Sequence, residues 1–151
     1  MPQSFAQVYL HIVFSTKQRE PFFQDYEIAK GLYAYVAGLC NKRDCFAKQI
    51  GGYVDHIHIL CSLSRIKTIA DLVKEIKVTS ADWVRNNIAN AAEFHWQSGY
   101  AALSVGQSQL ERVQQYILFQ REHHGKLSFQ DEFRQLLDWY KIDFNEQYVW
   151  D

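Results

Sequence analysis

Residues 55–60 read Asp55-His56-Ile57-His58-Ile59-Leu60. Side chains alternate between the two faces of a strand, so His56 and His58 share one face while Ile57 and Ile59 share the other. The aliphatic pair would lock the strand into a core. Two imidazoles at i and i+2 could then share one metal ion. Taken alone, the pattern fits two histidines on a solvated sheet face better than a metal site, so the surrounding sequence has to decide.

Immediately upstream, residues 45–53 read as a second strand, joined to the histidine strand near Val54-Asp55. Before it lies a helix over about residues 26–40, with Ile28, Leu32, Tyr35 and Leu39 at helical spacing and Asn41 as a stop. The segment 5–15 is rich in aromatic and β-branched residues and reads as the first strand. Downstream, Thr68 and Asp71 form a helix start signal, and the helix runs to about Ile88 on a stripe of Ile69, Leu72, Val73, Ile76 and Trp83. Residues 94–97 and 100–104 suggest a hairpin around Ser98-Gly99. Ser108 and Glu111 read as a capping box opening a helix that ends near Gly125. Ser128 and Asp131 open a last helix with an apolar stripe of Phe129, Phe133, Leu136, Leu137 and Tyr140. The order is β-α-β-β-α-β-β-α-α, and its first six elements match the split β-α-β pattern of ferredoxin-like folds. This is an α+β class with an antiparallel sheet, helices on one face, and the first and third strands side by side at its centre.

The 151 residues suit one domain spanning 1–151, and no repeat or Pro/Gly/Ser-rich linker divides them. With 48% hydrophobic and 22% charged residues the chain reads as an ordinary globular protein. No stretch approaches the roughly 20 apolar residues of a membrane span. The N-terminus lacks the basic, apolar and cleavage regions of a secretory signal. Three cysteines, Cys40, Cys45 and Cys61, without a C-x-x-C spacing, fit reduced thiols. A cytoplasmic location is therefore expected. The net charge of −1 argues against a generic nucleic-acid binder, but its distribution is uneven. Residues 1–90 carry a net +3 and residues 91–151 a net −4, which puts any phosphate-facing surface in the first part. Candidate phosphate contacts there are Lys17, Arg19, Lys74, Lys77 and Arg85, each of which also fits a solvated surface.

Tyr116 falls two turns inside the expected third helix, with Gln120 one turn later on the same face. A tyrosine so placed is ordinarily a packing residue. A chemical role would be attack on a phosphodiester, which requires a cation to neutralise the phosphate oxygens. His56 and His58 could hold that cation, with the Gln120 amide oxygen as a third protein ligand.

Several stretches, in order along the chain, resemble the small single-tyrosine HUH transposases of minimal insertion sequences, a group that includes the repeat-associated tyrosine transposases. They are His11-Ile-Val-Phe-Ser-Thr-Lys17 with Arg19 and Pro21, Asp55-His-Ile-His58, Leu72-Val-Lys-Glu-Ile-Lys77, Trp96-Gln-Ser-Gly-Tyr100, Ser104-Val-Gly106, and Tyr116-Ile-Leu-Phe-Gln120 with His123-His124. The resemblance implies His56, His58 and Gln120 as ligands of Mg²⁺ or Mn²⁺ and Tyr116 as the nucleophile. It also implies a single-stranded DNA hairpin as the recognised partner, cut and rejoined through a 5′-phosphotyrosine intermediate. A homodimer is expected from the same likeness, with the aromatic segment 94–100 as an apolar interface. The alternative function is a domesticated hairpin-binding module that no longer cuts.

Overall fold

The computed structural model describes residues 2–123 and 125–150. Its elements are β1 (Tyr9–Ser15), α1 (Tyr26–Lys42), β2 (Ala47–Tyr53), β3 (His56–Ser62), α2 (Ile69–Asn87), β4 (Ala101–Val105), α3 (Leu110–Leu118), α4 (Gln120–His123) and α5 (Phe129–Trp139). The sheet is antiparallel in the order β2-β3-β1-β4, which puts β1 and β3 at its centre, as the split β-α-β pattern requires. Helix starts follow the polar signals in the sequence. The Thr68 hydroxyl accepts from the Asp71 N–H at 3.1 Å, and the Ser128 hydroxyl accepts from the Asp131 N–H at 3.1 Å.

Period-two alternation sorts the strand residues into two cores. Leu10, Ile12 and Phe14 of β1 and Ile57, Ile59 and Cys61 of β3 pack with Leu32 and Val36 of α1 and Leu72 and Ile76 of α2. Each such fully buried aliphatic side chain contributes about 1.5–3 kcal/mol. The opposite face is covered as well. There Val13, Ala101 and Leu103 meet Phe129, Phe133, Leu136 and Leu137 of α5, while Leu60 and Val105 meet Ile117 of α3. Helices thus lie on both faces of the sheet, and the histidine face expected to be solvated is an interior.

Gly51 allows that second layer to sit close, and Gly52 lies tight against β3 of its own sheet. A Cβ at Gly51 would stand 2.6 Å from the carbonyl oxygen of Ile117, and one at Gly52 would stand 2.2 Å from that of His56. Only glycine lets β2 approach α3 and β3 so nearly.

Three further expectations are corrected. The hairpin at 94–104 does not form. Only Ala101–Val105 is a strand, while Phe94 and Trp96 turn into the core and Trp96 makes a single bridge to Thr16. The carbonyls this leaves unpaired are taken up by α2 cations. Lys77 Nζ donates to Gln97 O at 2.8 Å, Ser98 O at 3.2 Å and Gly99 O at 2.8 Å, and the Arg85 guanidinium donates to Phe94 O at 2.8 and 3.1 Å. The third helix opens one residue later than the capping box implied. Gln109 is its cap, without a side-chain bond, and Ser108 sits in a preceding 3-10 turn. The same helix ends early, at Leu118. Phe119 leaves helical geometry at φ −98 and ψ 23, and α4 restarts at Gln120. Among the described residues no helix is long and apolar enough to cross a membrane.

Candidate active site

β3 and β1 present His56, His58 and His11 to the α3–α5 side. Register puts Val13 opposite His58 and Leu60 opposite His11, so the two histidines on neighbouring strands meet diagonally. His11 Nε2 and His58 Nδ1 are 2.8 Å apart. Asp55, at the turn before β3, accepts from His56 Nδ1 at 2.8 Å. The Nε2 atoms of His56 and His58 consequently point the same way, into the space under α3 and α5.

α5 brings Glu132 into that space. Its Oε1 lies 3.3 Å from His56 Nε2 and 3.2 Å from His58 Nε2. Its Oε2 accepts from the Tyr116 hydroxyl and, at 2.9 Å, from Gln120 Nε2. The Gln120 amide oxygen is 3.0 Å from His56 Nε2. His56 and His58 are fully buried, and Gln120 and Glu132 are each 1% exposed. The kink at Phe119 aims Gln120 inward, and the Gly51 contact with Ile117 sets the height of Tyr116, one residue earlier, above the histidines.

Burial and partners set the protonation of these groups. Burial opposes charge on His56, but the hydrogen bonds and charges of Asp55 and Glu132 outweigh it and push the imidazole up to about 9. His11 is held down to about 3, first by burial and then by the nearby His58. Burial and then the Glu132 carboxylate hold the Tyr116 phenol well above the usual tyrosine range. The phenol therefore keeps its proton until a base takes it, and Glu132 Oε2 is the acceptor already in contact.

The donor set fits a divalent cation. One ligand atom each from His56, His58 and Glu132 lies within 4.8 Å of the others. Two imidazole nitrogens with a carboxylate and an amide oxygen form a mixed nitrogen and oxygen set. Each imidazole is also braced at its other nitrogen, His56 by Asp55 and His58 by His11, which is the outer support that metal-binding histidines ordinarily have.

The structure thus brings together His56, His58, Tyr116 and Gln120, all four singled out from sequence, together with His11, which the sequence offered as a first-strand candidate for the same face, and it adds Glu132 and Asp55. Glu132 carried a readable signal. It lies three residues after Phe129 and four before Leu136, so this acid sits on the apolar stripe of its own helix. The five basic candidates are not gathered on one surface. Lys17 is exposed in the turn just beyond β1, at the end of the strand where Ser15 pairs with His56. In the same turn Arg19 donates to Trp150 O at 3.1 Å. Lys74 is exposed on α2, in the layer on the other side of the sheet. Lys77 and Arg85 in that layer are engaged with the 94–99 carbonyls, and burial draws the Lys77 ammonium down to about 8. His124 lies outside the described residues, as does the side chain of His123.

Residues 4–120 match the profile of the family described as Transposase IS200 like. Among solved structures, a protein of Deinococcus radiodurans R1 assigned as a transposase is similar, with a TM-score of 0.62 and 22% identity over 80% of this chain and 95% of that one. A REP-associated tyrosine transposase bound to a REP hairpin is also similar, with a TM-score of 0.59 and 13% identity over 84% of this chain and 74% of that one. At these identities the likeness shows a common fold. No curated protein matches. Glu132, on α5, lies beyond the segment that the family profile matches.

Proposed function

The chain belongs to the IS200-like transposase family, a family of DNA-cleaving enzymes, and on that premise we propose that it cuts and rejoins single-stranded DNA at hairpin-bearing ends through Tyr116. The observation that carries this reading is the shared carboxylate. Glu132 contacts the Tyr116 hydroxyl with one oxygen and both histidine Nε2 atoms with the other. A nucleophile, a proton acceptor and a cation site are thereby joined through one side chain.

In this mechanism the Tyr116 oxygen forms a bond to phosphorus as the bond from phosphorus to the 3′ oxygen breaks. The phenol proton passes to Glu132 Oε2, and the departing 3′ oxygen takes a proton from water. The products are a 5′-phosphotyrosine and a free 3′-hydroxyl. His56, His58, Glu132 and Gln120 would hold the ion, Mg²⁺ or Mn²⁺, whose contribution is to neutralise the phosphate oxygens. Asp55 and His11 keep the two imidazoles oriented. A phenolate is a better leaving group than a sugar alkoxide, because its conjugate acid titrates near 10. A second 3′-hydroxyl can therefore displace Tyr116 and reseal the strand without ATP.

The DNA-hairpin partner is drawn from the resemblance and is in keeping with the hairpin bound to the REP-associated neighbour. Lys17 and Arg19, at the site's end of β1, remain proposed phosphate contacts. Lys74 remains one on the far layer, whereas the cations of Lys77 and Arg85 are already engaged with backbone. A homodimer acting on two ends is proposed on the family likeness alone, since Phe94 and Trp96 of the expected interface are packed inside.

The test is a labelled hairpin strand with single-stranded flanks, incubated with the protein and Mn²⁺. A protein–DNA band that survives denaturation is expected, and EDTA should abolish it while leaving the far-ultraviolet circular dichroism unchanged. A bound hairpin with no covalent band at any metal concentration would favour the binding-module alternative. Unfolding on chelation would instead make the cluster a structural metal site.

A further inference from the structure

α3 and α5 lie side by side over the sheet and leave a cleft between them of about 270 Å³. Arg112 and Tyr116 line it from α3, Leu136 and Trp139 from α5, Tyr140 from just beyond α5, and His11 from β1 below. Arg112 and Tyr116 stand one turn apart on the same helix face, while Glu132, Leu136 and Trp139 follow one another at one-turn spacing on α5. Tyr116 meets Glu132, so that contact is the inner end of the cleft. Arg112 and Trp139 are its outer end.

Among the described residues two side chains there have no structural employment. Trp139 is 68% exposed, and among the described residues its indole makes no hydrogen bond, ring contact or cation–π contact. Arg112 is exposed, and among the same residues it has no ion pair or side-chain hydrogen bond. Tyr140, by contrast, is fixed, since its hydroxyl donates to Ser104 O at 3.0 Å. A free indole face, a fixed phenol and an unpaired guanidinium form an aromatic slot with a cation at its mouth. That combination suits the unpaired nucleotides of a single strand, whose bases stack while their phosphates meet the cation. A neutral apolar partner would gain nothing from Arg112, and a duplex offers no free base face to Trp139.

We infer that this cleft holds the base of the unpaired nucleotide next to the phosphate that Tyr116 attacks, with Trp139 stacked on it and Arg112 on its backbone. The inference rests on Tyr116 being the nucleophile, because a strand seated here runs along the cleft to that residue. It assigns substrate positioning to the end of α5, a segment outside the family match.

The test measures affinity with cleavage disabled, in Tyr116→Phe, for a hairpin carrying single-stranded flanks. Adding Trp139→Ala should weaken binding about tenfold. Trp139→Tyr should keep affinity within about twofold, and Trp139→Leu should behave like Ala, because Leu restores apolar bulk without a stacking face. Arg112→Gln should lower the salt slope by about 0.7. The inference is overturned if Trp139→Ala binds like its parent, or if Leu rescues as well as Tyr. It is overturned too if Trp139→Ala abolishes a dimer while DNA affinity stays unchanged, since the cleft would then serve a second copy. These readouts need no chemistry. Absence of a covalent adduct in the wild type would sink the nucleophile assignment and leave the affinity result to judge the slot.

Discussion

A carboxylate buried beside imidazoles costs several kcal/mol to desolvate unless hydrogen bonds share its charge. Glu132 has four such neighbours, in Tyr116, Gln120, His56 and His58. The arrangement depends on how the imidazoles are turned, and for His56 that is the work of Asp55. Asp55→Asn keeps the size of the side chain and removes its charge. It should weaken Mn²⁺ binding about 10- to 100-fold, measured by calorimetric titration, with little change in the denaturant midpoint. Unchanged affinity would show that the His56 ring is oriented by other groups. His56 and His58 were legible as a pair because strand alternation puts them on one face, whereas Tyr116 and Gln120 were singled out by the family resemblance, since the helical period between them is broken at Phe119. Glu132 shares the apolar stripe of Phe129, Phe133 and Leu136, but spacing alone names no partner for an acid there. Its place on the buried stripe becomes meaningful only once a cation site is known to face that helix.

Among the elements, β2 and α3 set the geometry through the least bulky residue available. Gly51 lets Ile117 approach, and Ile117 is covalently next to Tyr116. Gly51→Ala should push α3 off the sheet, destabilise the protein by about 1–3 kcal/mol and slow adduct formation more than hairpin binding. A denaturation curve and a rate measured on the same preparation would check both; wild-type values would mean that α3 has slack there. Strand order and the first two helices were legible from alternation and capping signals. The hairpin at 94–104 was not, because Phe94 and Trp96 have the strand-like composition of the pattern yet pack as core plugs. Their carbonyls are satisfied by Lys77 and Arg85, a long-range solution that local propensity cannot reveal. The break at Phe119 was equally hidden, since residues 110–123 carry no Gly or Pro.

For the whole molecule, the consequence is a three-layer arrangement in which the histidine face lies under α3–α5. One layer, α1 and α2, supplies a rigid back to the sheet. The other supplies the residues of the proposed chemistry: Tyr116 from α3, Gln120 from α4 and Glu132 from α5. The family profile stops at residue 120, so the carboxylate and the exposed indole of Trp139 both lie outside the segment it matches. The sequence pattern anticipated an open histidine face because alternation tells which residues share a side, and only the packing of later helices tells whether that side is covered. In the proposed mechanism all of the chemistry converges on one oxygen atom, the Tyr116 hydroxyl. The most direct measurement is therefore to digest the covalent complex formed with Mn²⁺ and a hairpin strand, and to map the DNA-bearing peptide by mass spectrometry. The account predicts the adduct on Tyr116, and no adduct in Tyr116→Phe despite unchanged hairpin affinity. DNA attached to Tyr26, Tyr100 or any other residue, or an adduct persisting in Tyr116→Phe, would contradict it.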